Sequence, residues 1–238
     1  MVSAIIVAAG SSRRMGFDKL FALLAGKPVL WHSIKAFSDA PEINEIIVVT
    51  KADNVPEVQT LVTKGKFTKV TKVLPGGDER HESVWIGLQQ IESKGSEFVA
   101  IHDGARPLVT PELIGRCIAR AREVGAAGVA SPIPDTVKRA TPEEMVTESV
   151  DRSGLWAMQT PQIFASGLIM QAYAAIMSKH EMVTDEISAV QKLGKRIALL
   201  RNDDWNFKIT FPQDFEMAEH VLSLRGKRSL NPPVPAAP

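Results

Sequence analysis

One cysteine, Cys117, is all that 238 residues contain. An intramolecular disulfide is excluded, and a reducing compartment, the cytoplasm, is the expected location. Cys117 lies within the helical pattern ELIGRCIARARE, where a packed thiol is the plainer expectation than a nucleophile. Charge of either sign is also in short surplus: 28 Lys and Arg against 27 Asp and Glu leave a net +1. A polyanion-binding face is therefore not expected, nor a nucleic-acid partner, and basic residues that matter must be grouped locally. No apolar run is long enough to span a bilayer, and the first one has no basic segment before it, so neither a membrane span nor a secretory leader is expected. The five histidines show no metal-ligand spacing.

What is present reads as an α/β protein. Apolar, β-branched runs at 3–9, 44–50, 68–74, 97–103 and 126–132 predict strands, and those at 3–9, 44–50 and 97–103 are apolar almost throughout, as in parallel strands covered on both faces. Helical patterns at 28–39, 54–65, 82–93 and 111–123 alternate with them. Pro111 behind Thr110 reads as a first helical position behind its cap. The alternation predicts a doubly wound, mostly parallel sheet, with ligands beyond the carboxyl ends of its strands.

From about 133 to 154 the pattern changes. TVKRA and MVTESVD flank TPEE and predict a β-hairpin with too few large apolar residues for a core of its own. It is expected to project as an arm and to pack on a partner subunit. Further helices are expected at about 166–178 and 184–193, strands at RIALL and NFKITF, and a closing helix at PQDFEMAEHVLSL. One domain, residues 1–225, should contain all of this. The tail 226–238, ending in NPPVPAAP, is expected to be disordered.

Three of the predicted strands end in unusual loops: AAGSSRRMGFDK, PGGDER and HDGARP. A glycine after a strand lets successive backbone amides turn toward an anion. Arg13, Arg14 and Lys19 add full charge to the first loop. These are the parts needed to hold a triphosphate and offset charge as a phosphorus–oxygen bond breaks. The loop is neither a P-loop nor a dinucleotide fingerprint.

VAAGSSRRMGFDK resembles the opening signature of sugar-nucleotide-type nucleotidyltransferases. PGGDERHESVWIGL, HDGARP, DTVKR, VDRSGLWAMQTPQIF, TDEISAV and NFKITFPQDF then follow in the order of one family, 2-C-methyl-D-erythritol 4-phosphate cytidylyltransferase. The resemblance covers the chain to about residue 224 and implies a Rossmann-like nucleotidyltransferase fold. It also implies Mg²⁺-dependent transfer of CMP from CTP to 2-C-methyl-D-erythritol 4-phosphate, in non-mevalonate isoprenoid precursor synthesis.

By that resemblance Arg14 and Lys19 stabilise the transition state, although GFDKLF is shorter here than the family's usual insertion. Ala8, Ala9 and Gly10 would wrap the triphosphate. Gly77, Asp78 and Ser83 would read cytosine, with Gly76 permitting close approach, while Glu79 and Arg80 have no assigned role. Asp103 would lie by the ribose, phosphates and Mg²⁺, followed by Gly104 and Arg106; His102 is expected to pack. Thr136, Arg152, Thr184, Asp185 and Lys208 would surround the acceptor, with Arg152 and Lys208 orienting its phosphate by charge-assisted bonds. Thr136 and Arg152 flank the arm, which in the family reaches a neighbouring subunit, so a homodimer is implied. A phosphate monoester with a second pKa of about 6 is already nucleophilic at neutral pH and needs no general base, although Asp103 or Asp185 is chemically able to act as one. Rival readings are a cytidylyltransferase for another acceptor such as ribitol 5-phosphate, a molybdopterin-type nucleotidyltransferase sharing the first loop, and a non-catalytic nucleotide-binding regulator.

Overall fold

A computed structural model describes residues 1–10, 15–91 and 95–230. The alternation read from the sequence becomes β1 (Val2–Ala8), a small hairpin of β2 (Leu23–Leu24) and β3 (Lys27–Pro28), α1 (Val29–Asp39), β4 (Ile43–Thr50), α2 (Val55–Gly65) and β5 (Val70–Pro75). Then follow α3 (Arg80–Gln89), β6 (Phe98–Asp103), α4 (Pro111–Val124) and β7 (Ala126–Pro132). The β2–β3 hairpin was not anticipated.

After the arm, formed by β8 (Val137–Ala140) and β9 (Val146–Val150), come β10 (Trp156–Ala165), α5 (Ser166–Ser178), α6 (Glu186–Gln191), β11 (Ala198–Arg201) and α7 (Gln213–Leu230). The main sheet has the order β11-β7-β10-β6-β1-β4-β5. β1 runs parallel to β4 and β6, and β11 parallel to β7, whereas β10 is antiparallel to both its neighbours. The expected α/β fold with a mostly parallel sheet is therefore present.

The continuous apolarity of β1 has its cause in two covered faces. Ala4 and Ile6 face one core layer with Leu30, Ile34 and Phe37 of α1 and Ile114 and Ile118 of α4. Ile5 and Val7 face the other, with Val84 and Leu88 of α3 and Ile169 and Tyr173 of α5. Each fully buried Ile stabilises the fold by roughly 1.5–3 kcal/mol. Both layers thus fix the strand whose end opens the first loop.

Caps set the helix limits. Thr110 Oγ1 accepts from Leu113 N at 3.2 Å with Pro111 at the first position of α4, as the sequence predicts. The helix expected at 184–193 is shorter because Asp185 caps it, Oδ1 accepting from Ser188 N at 2.9 Å.

Two expectations need correction. NFKITF forms no strand: residues 206–211 run as a strap outside the ladder. The amides of Thr210 and Phe211 donate to Asp214 Oδ2 at 2.7 and 2.8 Å, and Ile209 N donates to Ala105 O at 2.9 Å. Donors spent on a helix-start carboxylate and a loop carbonyl are withdrawn from sheet pairing. The closing helix also passes the expected boundary at 225 and runs to Leu230. No proline stands between the two, Gly226 is carried within the helix, and the next prolines are Pro232 and Pro233. The remainder of the expected tail, 231–238, lies outside the described residues.

The arm forms as the turn signal predicts. β8 and β9 pair antiparallel, Val137 opposite Val150, in a two-stranded sheet of their own. Thr141 N donates to Met145 O at 2.9 Å across the turn.

Candidate active site

The loops after β1, β5 and β6 meet the strap 206–210 around a cleft of about 460 Å³. Of the residues expected to act, Ala8, Ala9, Gly10, Lys19, Gly77, Asp78, Ser83, Asp103 and Lys208 line it. Arg14 lies outside the described residues. Gly104 and Arg106 sit behind the wall: Gly104 N donates to Val7 O at 2.8 Å, joining the ends of β6 and β1. Thr136, Arg152 and Thr184 are exposed and do not line the cleft. Asp185 is also outside it, held as the cap of α6, with Oδ2 accepting from Gln162 Nε2 at 2.9 Å.

Close approach of the first two loops depends on a missing side chain. A Cβ on Gly76 would stand 2.5 Å from Ser83 Oγ and 2.8 Å from Ala9 Cβ. An alanine there would force the wall apart. Ser83 is buried, its Oγ 3.3 Å from Glu79 O, so its hydroxyl also ties the start of α3 to itself.

Asp103 is the electrostatic centre. Its Oδ1 accepts from Arg80 Nε at 3.0 Å, its Oδ2 accepts from Lys208 Nζ at 3.0 Å, and Arg106 Nε stands 3.6 Å from Oδ2. Burial alone would push the carboxyl up. The cations Arg80, Lys208 and Arg106 outweigh it and hold Asp103 well below the usual carboxylate range. Arg80 in turn forks onto Glu186, Nη1 to Oε1 at 2.5 Å and Nη2 to Oε2 at 3.1 Å, and Tyr173 Oη donates to Oε1 at 3.0 Å. Glu186 is fully buried.

A second layer holds the end of β6. Thr160 Oγ1 accepts from Asp103 N at 3.0 Å and lies 2.9 Å from His102 Nδ1. His102 Nε2 is 3.3 Å from Arg106 O, so the network assigns the proton to Nε2 and lets the Thr160 hydroxyl donate to Nδ1. Burial lowers His102 to about 3, against a smaller upward pull from Asp103. It is neutral, packed on Phe37 at 4.9 Å, and is a supporting residue as expected.

The first loop brings Lys19 to the cleft, where its Nζ donates to Ile209 O at 2.8 Å. The bond ties this loop to the strap carrying Lys208. Asn206 Nδ2 fastens the strap to Thr160 O at 2.8 Å, and Arg106 Nη1 donates to Asn206 O at 2.8 Å.

The sequence profile of the 2-C-methyl-D-erythritol 4-phosphate cytidylyltransferase (IspD) family matches residues 2–224. The chain belongs to this family. It is 42% identical over 224 residues to the 2-C-methyl-D-erythritol 4-phosphate cytidylyltransferase of Caldanaerobacter subterraneus subsp. tengcongensis, covering 93% of this chain and 98% of that one. The same-named protein of Symbiobacterium thermophilum is 40% identical over 223 residues, covering 93% and 92%. The crystal structure of 4-diphosphocytidyl-2C-methyl-D-erythritol synthase from Anaerococcus prevotii superposes with TM-score 0.81 at 29% identity, over 94% and 96% of the two chains. That of 2-C-methyl-D-erythritol 4-phosphate cytidylyltransferase from Thermus thermophilus gives 0.76 at 30%, over 92% and 98%.

Sequence reasoning passed over Arg80, Thr160, Tyr173 and Glu186. Arg80 and Glu186 stood inside quoted motifs, yet they are 106 positions apart, and no local pattern pairs them.

Proposed function

We propose that this chain transfers CMP from CTP to 2-C-methyl-D-erythritol 4-phosphate, giving 4-diphosphocytidyl-2-C-methyl-D-erythritol and pyrophosphate in isoprenoid precursor synthesis. Family membership supplies the reaction. The observation that carries it is the convergence of the loops after β1, β5 and β6 with Lys19, Arg80 and Lys208 on one cleft around Asp103.

An oxygen of the acceptor's phosphate dianion attacks the α-phosphorus in line. The bond from that phosphorus to the bridging oxygen breaks, and pyrophosphate leaves with its electron pair. No proton need move. His102, buried and bonded at both ring nitrogens, does not compete for a base role. Lys19 and Arg14 meet the charge growing on the α-phosphate and the leaving group. Lys208 and Arg152 orient the acceptor, together with Thr136, Thr184 and Asp185. Gly77, Asp78 and Ser83 read the base, since fixed polar groups reject analogues that lack the matching ones.

The described residues contain no group of three His, Cys, Asp or Glu able to hold a metal by themselves. Asp103 already accepts from Arg80 and Lys208, so a divalent ion would be carried in and held mainly by nucleotide oxygens, with Asp103 as the carboxylate beside it. Each Asp103 oxygen has further lone pairs beyond its present bond. A divalent cation held there would offset phosphate charge.

The arm supports a homodimer with shared sites. Among the described residues its strands pair with each other alone, and Met145 and Val146 at its tip are 67% and 66% exposed. Thr136 and Arg152 at its base lie away from their own chain's cleft lining. No described helix is long and apolar enough to cross a membrane.

An acceptor panel with CTP and Mg²⁺, read as pyrophosphate, tests the reading. Release is expected with 2-C-methyl-D-erythritol 4-phosphate and not with CTP alone. Release with ribitol 5-phosphate instead would reassign the acceptor; nucleotide binding with no release for any acceptor would make the chain a regulator.

A further inference from the structure

β10 leaves its pairing with β7 for three residues beside Asp103. Gln159, Thr160 and Pro161 stand opposite Val129 alone, between the pairs Met158–Ala130 and Gln162–Gly128. Such a bulge leaves backbone groups unpaired and re-aims side chains. Here Thr160 is turned to two uses. Its Oγ1 accepts from Asp103 N at 3.0 Å, and its carbonyl accepts from Asn206 Nδ2 at 2.8 Å. The same Asn206 amide also donates to Gln159 Oε1 at 3.0 Å. One residue of β10 thus holds both the strand end that carries Asp103 and the strap that carries Lys208, whose side chains meet across 105 positions of chain.

Stability alone does not account for Asn206. Phe207 and Ile209 already seat the strap on the core. The Asn206 amide oxygen is buried without a donor among the described residues, and a buried acceptor left unsatisfied is a cost. An apolar contact is non-directional and does not fix where a strap stops. Two donors of one amide, placed on two fixed oxygens, set its register. Downstream, Ile209 N donates to Ala105 O and Ile209 O accepts from Lys19. Lys208 therefore stands between one register point on either side.

We propose that Asn206 is a positioning residue for the acceptor: by locking the strap to Thr160 and Gln159, it sets the place of the Lys208 ammonium at which the acceptor's phosphate is received. The proposal rests on the assignment of Lys208 to that phosphate given above. Without the amide, the strap keeps its apolar seat but samples other registers, and the population ready for the acceptor falls. Apparent acceptor affinity falls by the same fraction. CTP, which meets the loops after β1 and β5, is little affected.

The test is steady-state kinetics with CTP, Mg²⁺ and 2-C-methyl-D-erythritol 4-phosphate, together with calorimetric CTP binding, on wild type and Asn206→Ala. KM for the acceptor should rise about 3- to 10-fold, the worth of one ordinary hydrogen bond, while kcat and CTP affinity stay within about twofold. Equal weakening for CTP and acceptor, a loss confined to kcat, or no change overturns the role of Asn206. In a Lys208→Ala background, Asn206→Ala should add nothing further, and a multiplied loss overturns action through Lys208. A Lys208→Ala enzyme with unaltered acceptor KM overturns the assignment of Lys208 instead, and the proposal falls with it. Should Asn206→Ala fail to fold by circular dichroism, Gln159→Met, which removes one of the two oxygens holding the amide, should show the same acceptor-selective rise at smaller amplitude. A rise shared with CTP, or none, overturns the proposal.

Discussion

β6 and the β8–β9 arm both lead to residues assigned to substrate handling, and they are built in opposite ways. β6 lies inside the sheet, buried from Val99 to Asp103, and each polar group at its end has a partner. The arm has two strands and an exposed tip, and none of its described residues belongs to either core cluster. A two-stranded hairpin alone is marginal in water. The nucleotide side of the proposed site is therefore fixed by the chain's own packing, whereas the arm, on the reading proposed above, takes its order and its use from a second surface.

The largest expected effect separates the two halves of the reaction at Lys208. Its ammonium neutralises Asp103 in the present arrangement and is assigned to the acceptor phosphate. Lys208→Ala should raise KM for the acceptor about 10- to 100-fold, the worth of a charge-assisted bond. CTP affinity, by calorimetry, should move much less. Equal losses for both substrates would place Lys208 on the nucleotide side and dissolve the division.

How far the two regions were legible follows from the same contrast. β1, β4 and β6 announced themselves by runs apolar on both faces, and Asp103 was placed by ending such a run. The arm was legible as a break in that pattern. NFKITF misled because its β-forming composition says nothing of where its amides go, and Asp214 takes two of them. Arg80 and Glu186 meet only after β10, α5 and α6 have folded back beside β6. Their pairing is a product of topology, and a charge in sequence does not reveal its distant partner.

A smaller effect sharpens the rigidity of the β6 end. Folded His102 is held at about 3 by burial, against roughly 6.5 in an unfolded chain. Between those values the unfolded state binds a proton that the folded state does not. Stability must fall as pH falls through that window. From pH 6.5 to 5, this one group should cost up to about 2 kcal/mol. Urea midpoints of wild type and His102→Gln should diverge in slope over that range, with the variant the flatter. Equal slopes would mean that the histidine opens to solvent and that the layer under Asp103 is loose.

The smallest effect on folding should accompany a decisive one on assembly. Met145 stands at the arm's tip, 67% exposed, so Met145→Asp should leave near-UV circular dichroism unaltered, as surface changes usually do. If the tip rests on a second copy, a buried aspartate there has no counter-charge and sedimentation should shift toward the monomer. Function then supplies the sharper discrimination. In a two-fold dimer with shared sites, a Lys19→Ala chain paired with an Arg152→Ala chain has one doubly damaged site and one intact site. Random re-association of the two inactive variants should therefore restore about a quarter of wild-type turnover, since half the dimers are mixed and each has one intact site of two. Mixed dimers shown by mass and yet without turnover would return Arg152 to its own chain's cleft, and the arm would lose its claim to the neighbour's substrate.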